Sequence, residues 1–146
     1  MSHHNSALVR RWFDEIWNRG NVDAVDELLA PGGVLHDPSM ADVTSLEAEA
    51  FKAHARAMRN AIPDIRFTVE YAMESEDHVA ARVTVTGTHT GRGLGIEPTG
   101  RAFTVTGMVM AHVRDGRFVE GWNHFDLLGL FGQLGVVVRP RLGMMV

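Results

Sequence analysis

Large apolar side chains at Val9, Trp12, Phe13, Ile16 and Trp17 recur at i, i+3, i+4, i+7 and i+8, the spacing that places them on one helical face. A helix is predicted from a cap at Asn5 or Ser6 to Gly20. A short second helix starts at Asn21, turns Val22, Val25, Leu28 and Leu29 inward, and stops at Pro31-Gly32-Gly33; an extended piece from Val34 to Asp37 then ends at Pro38. Thr44-Ser45-Leu46-Glu47 has the pattern of a capping box and predicts the start of a third helix. Its apolar stripe is Leu46, Phe51, Ala55, Met58 and Ile62, and Pro63-Asp64 closes it.

From Ile65 the period changes to two. Ile65, Phe67, Val69, Tyr71 and Met73 alternate with polar residues, as do Val79, Ala81, Val83 and Val85, which predicts strands with one dry face. Phe103 to Val113 is apolar at nearly every position, as expected of a strand covered on both faces, with a dimer interface as the natural outer cover. Asp115-Gly116 signals a tight hairpin into a last strand, Arg117 to Phe125, and Leu127 to Leu134 reads as a short final helix. Three helices followed by an antiparallel run of strands predict an α+β fold, a curved sheet wrapped on helices, in a single domain spanning 1–146. The apolar ending, Val136-Val137-Val138 and Leu142 to Val146, is expected to pack on a pocket mouth or a partner chain.

Composition narrows the chemistry. At 146 residues and 45% hydrophobic, the chain suits a compact domain that needs no metal or disulfide, and it contains no cysteine for thiolate or redox work. A net charge of −4, with Lys52 the only lysine and the arginines scattered, argues against a nucleic-acid surface. No basic region followed by an apolar run stands at the start, and no apolar run approaches the ~20 residues of a membrane span. A cytoplasmic protein with a small-molecule partner is expected.

Gly91-Arg92-Gly93-Leu94-Gly95 is glycine-rich, but a strand rather than a helix comes next, so it reads as a hairpin loop and not a phosphate cradle. None of the eight histidines has the spacing of a zinc-protease pair, so no metal is expected. His36, His89, His112 and His124 fall in segments that could reach a pocket, whereas His54 and His78 read as solvated. No nucleophile elbow is present. Most acids sit on helix faces or in turns; Asp37 and Asp126 are the exceptions, flanked by apolar residues. Apolar surroundings disfavour the charged form of a carboxylate, which suits one to proton transfer. Asp126 could equally cap the final helix, and its position favours that role.

Several blocks together resemble SnoaL-like polyketide cyclases: Val9-Arg10-Arg11, Trp17-Asn18-Arg19-Gly20, Val25-Asp26-Glu27, Pro63-Asp64, the stretch from Gly87 to Phe103, and Asp115 to Gly135 with Trp122-Asn123-His124-Phe125-Asp126 inside it. The resemblance implies a nuclear-transport-factor-2-like cone around an apolar pocket, dimers formed through the sheet, and no cofactor. Members of this kind close a ring of an anthracycline precursor by intramolecular aldol condensation. In them an aspartate on the last strand abstracts a C–H proton and later protonates oxygen. That position here is Asn123, and flanking polar pocket positions fall on Gly107, Val109 and Gly121.

Ketosteroid isomerases, of related fold, carry their base in an Asp-Pro pair that corresponds to Asp37-Pro38, while their oxyanion-binding tyrosine corresponds to Phe13. The resemblance therefore implies acid and amide exchanged across the pocket, with Asp37 as base on one wall and Asn123 as an amide donor on the other. Epoxide hydrolases of this fold need an Arg-x-Asp pair where Thr90 and Arg92 stand, and are disfavoured. Expected pocket residues are Trp12, Phe13, Trp17, His36, Met58, Phe67, His89, Val109 and Gly121, around an apolar, carbonyl-containing ligand. The alternatives are a non-catalytic binding protein of the same fold, a ketosteroid-isomerase-like isomerase, or oxygenation of the bound substrate.

Overall fold

The computed structural model describes residues 4–37 and 45–136. The first helix, α1, runs His4–Trp12 and continues as a π-helical stretch, Phe13–Asn18, ended by Gly20 at φ +75°. All five side chains of the predicted apolar face are buried. The wider turn ends with Arg19 N–H donating to Asp14 O and Asn21 N–H to Glu15 O.

The second helix, α2, is only Ala24–Leu28, shorter than expected. Strand β1 takes over at Leu29 and runs to His36, through Pro31-Gly32-Gly33, where the sequence had suggested a break. Proline is tolerated because β1 leaves its pairing with the neighbouring strand there: the register shifts between Leu29 and Val34. The expected capping box is also corrected. Ser45–Leu46 forms a short strand, β2, paired with His36 and Leu35, so the third helix, α3, begins later and spans Ala48–Ala61 with Glu47 as a cap residue that makes no side-chain cap bond. Thr44, Pro38 and the apolar ending beyond Val136 lie outside the described residues.

Among the described residues six strands form one sheet in the order β2-β1-β6-β5-β4-β3, with β3 Arg66–Ser75, β4 His78–Thr88, β5 Ala102–Arg114 and β6 Arg117–Phe125. The four later strands are antiparallel, as the pattern predicted, and β1 joins parallel to β6. Asp115 and Gly116 both take positive φ, the geometry of a tight hairpin.

Strict alternation in β3 does not survive. Val69 pairs with Val83 but Tyr71 pairs with Arg82, so an extra residue bulges at Glu70 and reverses the facing of the later residues of the strand. Ile65 and Phe67 are buried, while Tyr71 and Met73 point outward and are 62% and 60% exposed. On β5 the inner residues Phe103, Val105, Val109 and Val113 are buried, and the outer Met108 and Met110 are open in the single chain. Helices pack on the inner face, and the short α4, Leu127–Gln133, closes one end. Asp126 caps it, accepting the Gly129 N–H at 2.8 Å.

Candidate functional site

The helices and the inner face of the sheet enclose a cavity of about 250 Å³. Its walls are almost wholly apolar: Phe13 and Trp17 from the π-helical stretch, Phe51 and Met58 from α3, Phe67, Val85, Phe103 and Val105 from the sheet, and Leu127, Leu130 and Phe131 from the α4 end. Aromatic packing fixes this wall. Phe67 stacks on Phe13 at 5.3 Å and meets Trp17 at 4.7 Å and Phe125 edge-on at 5.8 Å. Among the described residues three polar side chains line it: Asp37, His54 and Asn123.

Strand register explains how two of them arrive together. In the parallel β1–β6 pair, Leu35 lies beside Gly121 and His36 beside Trp122, so the next residues along, Asp37 and Asn123, continue in step on the inner face. Gly121 permits the close approach, since a Cβ there would stand 2.8 Å from Leu35 Cδ2. Asp37 and Asn123 are thus neighbours on one wall, not opposed across the chamber as the resemblance had implied.

His54 comes from the opposing helix and corrects the reading of this residue as solvated. It sits three residues after Phe51 and four before Met58, on the cavity face of α3, with Trp17 edge-on at 6.0 Å and Phe51 at 6.1 Å. Burial pushes its pKa below the ordinary histidine value, partly opposed by the negative charge of Asp37. Phe51 and Met58 both belong to the predicted apolar stripe of α3, and a spacing of i+3 from one and i−4 from the other is the signal in the sequence that places His54 beside them.

The remaining expected site residues divide into three groups. Phe13, Trp17, Met58 and Phe67 line the cavity. Trp12, Val109 and Gly121 line a smaller neighbouring void of about 30 Å³, which shares Phe13, Leu35 and Asn123 with the main chamber and has room for a water molecule. His36, His89 and Asp126 line neither. Period two turns His36 to the outer face, where it meets Ser45 Oγ at 2.8 Å and Glu120 at 2.7 Å and packs on Trp122. His89 is fully buried; Thr99 N–H donates to its Nδ1, which fixes the proton on Nε2, and that atom has no hydrogen-bond partner among the described residues. It pins the loop from Thr90 to Arg101 and adds nothing to the cavity lining. Asp126 is exposed and occupied with its cap, so a proton-transfer role has no geometric basis.

Outside the cavity, Asp77, His78 and His112 bring ligand-type atoms within 4.8 Å of one another at an end of β4 and β5. The two imidazoles are stacked at 4.7 Å with planes 6° apart, and each meets a carboxylate oxygen of Asp77. A metal ion must lie in the plane of each imidazole that binds it. Parallel stacked rings have no such common point, so as placed the three side chains form a hydrogen-bonded cluster. No described helix is long and apolar enough to cross a membrane.

The profile of SnoaL-like polyketide cyclases matches residues 7–134. The aklanonic acid methyl ester cyclase AcmA of Streptomyces galilaeus is 30% identical over 131 residues, covering 88% of this chain and 89% of that protein. The crystal structure of wild-type IdmH from Streptomyces antibioticus matches with a TM-score of 0.80 at 33% identity, over 90% of this chain and 99% of IdmH. A protein of ketosteroid isomerase-like fold from Catenulispora acidiphila, 19% identical, matches at 0.72 over 91% of this chain and 97% of its own, a likeness of fold alone. With the α+β architecture and the enclosed apolar chamber, this establishes that the chain belongs to the SnoaL-like polyketide cyclase family.

Proposed function

We propose that this protein is a cofactor-independent, cyclase-like enzyme that removes a proton beside a carbonyl group of an apolar small molecule held in the chamber. The observation that carries the reading is the placing of Asp37 and Asn123 side by side on one wall of a chamber otherwise lined by hydrocarbon, apart from His54. Asp37 is the base, and the Asn123 amide donates to the carbonyl oxygen as the enolate charge develops. Such a donor, aimed at developing charge in a site shielded from water, is worth ~3 kcal/mol in the transition state.

Among the described lining residues there is no arginine or lysine, so a neutral ligand is preferred over a free acid or phosphate. The methyl ester in the name of AcmA, its acid group masked, satisfies both conditions. Aklanonic acid methyl ester is accordingly the first probe. Asp37→Asn is expected to lower kcat by a factor of about 10² to 10⁴ while the ligand still binds, because the amide keeps the volume and loses only the proton acceptor. Full turnover by that variant would exclude Asp37 as the base.

A second reading, a binding protein without catalysis, draws on Asn123 standing where the family resemblance places an aspartate. It predicts tight binding with no turnover by either form. On the outer face of the sheet, Tyr71, Met73, Met108 and Met110 form an exposed apolar surface, and a second copy of the chain is the cover we propose for it.

A further inference from the structure

His54 takes no part in the enolisation assigned to Asp37 and Asn123, yet it is the second titratable group of the chamber. It enters from α3, on a different element from those two residues, with Trp17 and Phe51 packed against its ring. The cations of this helix stay outside the cavity, Arg56 being exposed to solvent. Lys52 is held by Asp26 of α2 at 2.6 Å and by Glu49 at 3.2 Å, and Arg59 donates to Trp17 O; none of these lines the cavity. Asp37 is the charged group that acts on the imidazole.

An aldol closure collects a proton at one substrate atom and delivers it to another. A lone carboxylate must serve both points, whereas two groups on facing walls can divide the task. Resting on the proton-abstraction reading, we propose that His54 and Asp37 form a proton-sharing pair, in which the imidazole stores the proton taken from carbon and returns it to oxygen when the ring closes.

The C–H bond beside the carbonyl breaks, its electron pair stays in the enolate, and the proton passes by way of Asp37 to a ring nitrogen of His54. The product is a carboxylate facing an imidazolium, two opposite charges in a dry site, which stabilise each other. The enolate carbon then bonds to the second carbonyl carbon, whose π pair becomes an alkoxide. The imidazolium gives up its proton to that oxygen, forming the hydroxyl and regenerating neutral His54.

Desolvation keeps the resting ring in the neutral, proton-accepting state that this cycle requires, and Asp37 tempers the effect so that the charged state remains within reach. Acidification should therefore remove activity as His54 charges before substrate binds.

Two variants and one spectroscopic measurement test the pair. With aklanonic acid methyl ester as probe, His54→Gln is expected to lower kcat about a hundredfold, leave KM within about threefold, and abolish the part of the acid limb of the pH profile that belongs to the imidazole. In parallel, the His54 ring resonances are titrated by NMR in the wild type and in Asp37→Asn; loss of the carboxylate should move the midpoint downward. An unchanged midpoint overturns the pairing whether or not any substrate is turned over. Loss of activity in Asp37→Asn with full activity in His54→Gln overturns the pairing but spares the proton-abstraction reading. Full activity in Asp37→Asn removes both.

Discussion

Asp37 and Asn123 owe their position to alternation, a property that the sequence displays openly. Leu35, Asp37, Gly121 and Asn123 are spaced by two along strands that run in step, so all four face inward together. The sequence could not show that β1 and β6 are adjacent and parallel. The family resemblance implies an acid and an amide on opposite walls, from segments more than eighty residues apart, and only strand order makes them neighbours. His54 was hidden by a different ambiguity: a histidine beside an apolar stripe fits either the edge of the stripe or the solvent. Its environment yields a test through stability. Because burial sets its folded pKa below the unfolded value of about 6.5, the unfolded chain binds more protons as pH falls, so the His54 contribution is complete above about 6.5 and is lost on acidification. Urea midpoints measured from about pH 8 to about pH 5 should fall less steeply for His54→Gln than for the wild type, and parallel curves would contradict this assignment.

At the level of elements, periodicity located nearly every helix and strand but misjudged their boundaries. Thr44-Ser45-Leu46-Glu47 has the composition of a capping box, yet Ser45 and Leu46 pair with β1, so their backbone is used in a strand and the helix starts only at Ala48. The Glu70 bulge could not be read from alternation, since Tyr71 and Met73 continue the same period with the opposite facing. Elements that frame the cavity also approach one another at glycines. The Gly107 position lies against the Phe125 ring, 2.2 Å from where a Cβ would stand, and Gly91 donates its N–H to Ala61 O to tie the loop before β5 onto α3. Gly107→Ala must displace the Phe125 ring, and Phe125 lines the cavity. A loss of about 1–3 kcal/mol in unfolding free energy is expected, from overpacking; chemical denaturation measures it, and a neutral result would show that the ring yields without cost.

For the whole molecule, the α+β class, the helices-first order and the four antiparallel strands were legible, and the family resemblance supplied the cone around an apolar pocket that patterning alone does not give. The fold explains why the site lies where it does. Helices cover one face of a curved sheet, large rings at Phe13, Trp17 and Phe67 pack between the layers, and Gly107 of β5 and Gly121 of β6 let the Phe125 ring and the Leu35 side chain lie close against the strands. The opposite face has no such cover among the described residues. The doubly apolar pattern of β5 leaves Met108 and Met110 56% and 45% exposed, with Tyr71 and Met73 alongside on the same side of the sheet. If a second copy covers this face, Met108→Lys places a charge in the interface and shifts sedimentation toward the monomer without unfolding the chain. A wild-type protein that sediments as a monomer at all concentrations would rule out the proposed dimer. The chamber itself is formed within one chain and does not depend on this outcome.

The central claim is that a carboxylate and an amide, adjacent in a hydrocarbon-lined chamber, remove a proton from carbon. Deuterium incorporation beside the carbonyl of bound aklanonic acid methyl ester in heavy water, measured by mass spectrometry, reports that step whether or not ring closure occurs. Wild-type protein should accelerate the exchange over buffer by orders of magnitude, and Asp37→Asn should return it close to the buffer rate while still binding the ester. Exchange at the buffer rate with wild-type protein saturated by the ester, or equal acceleration by both proteins, would contradict the claim.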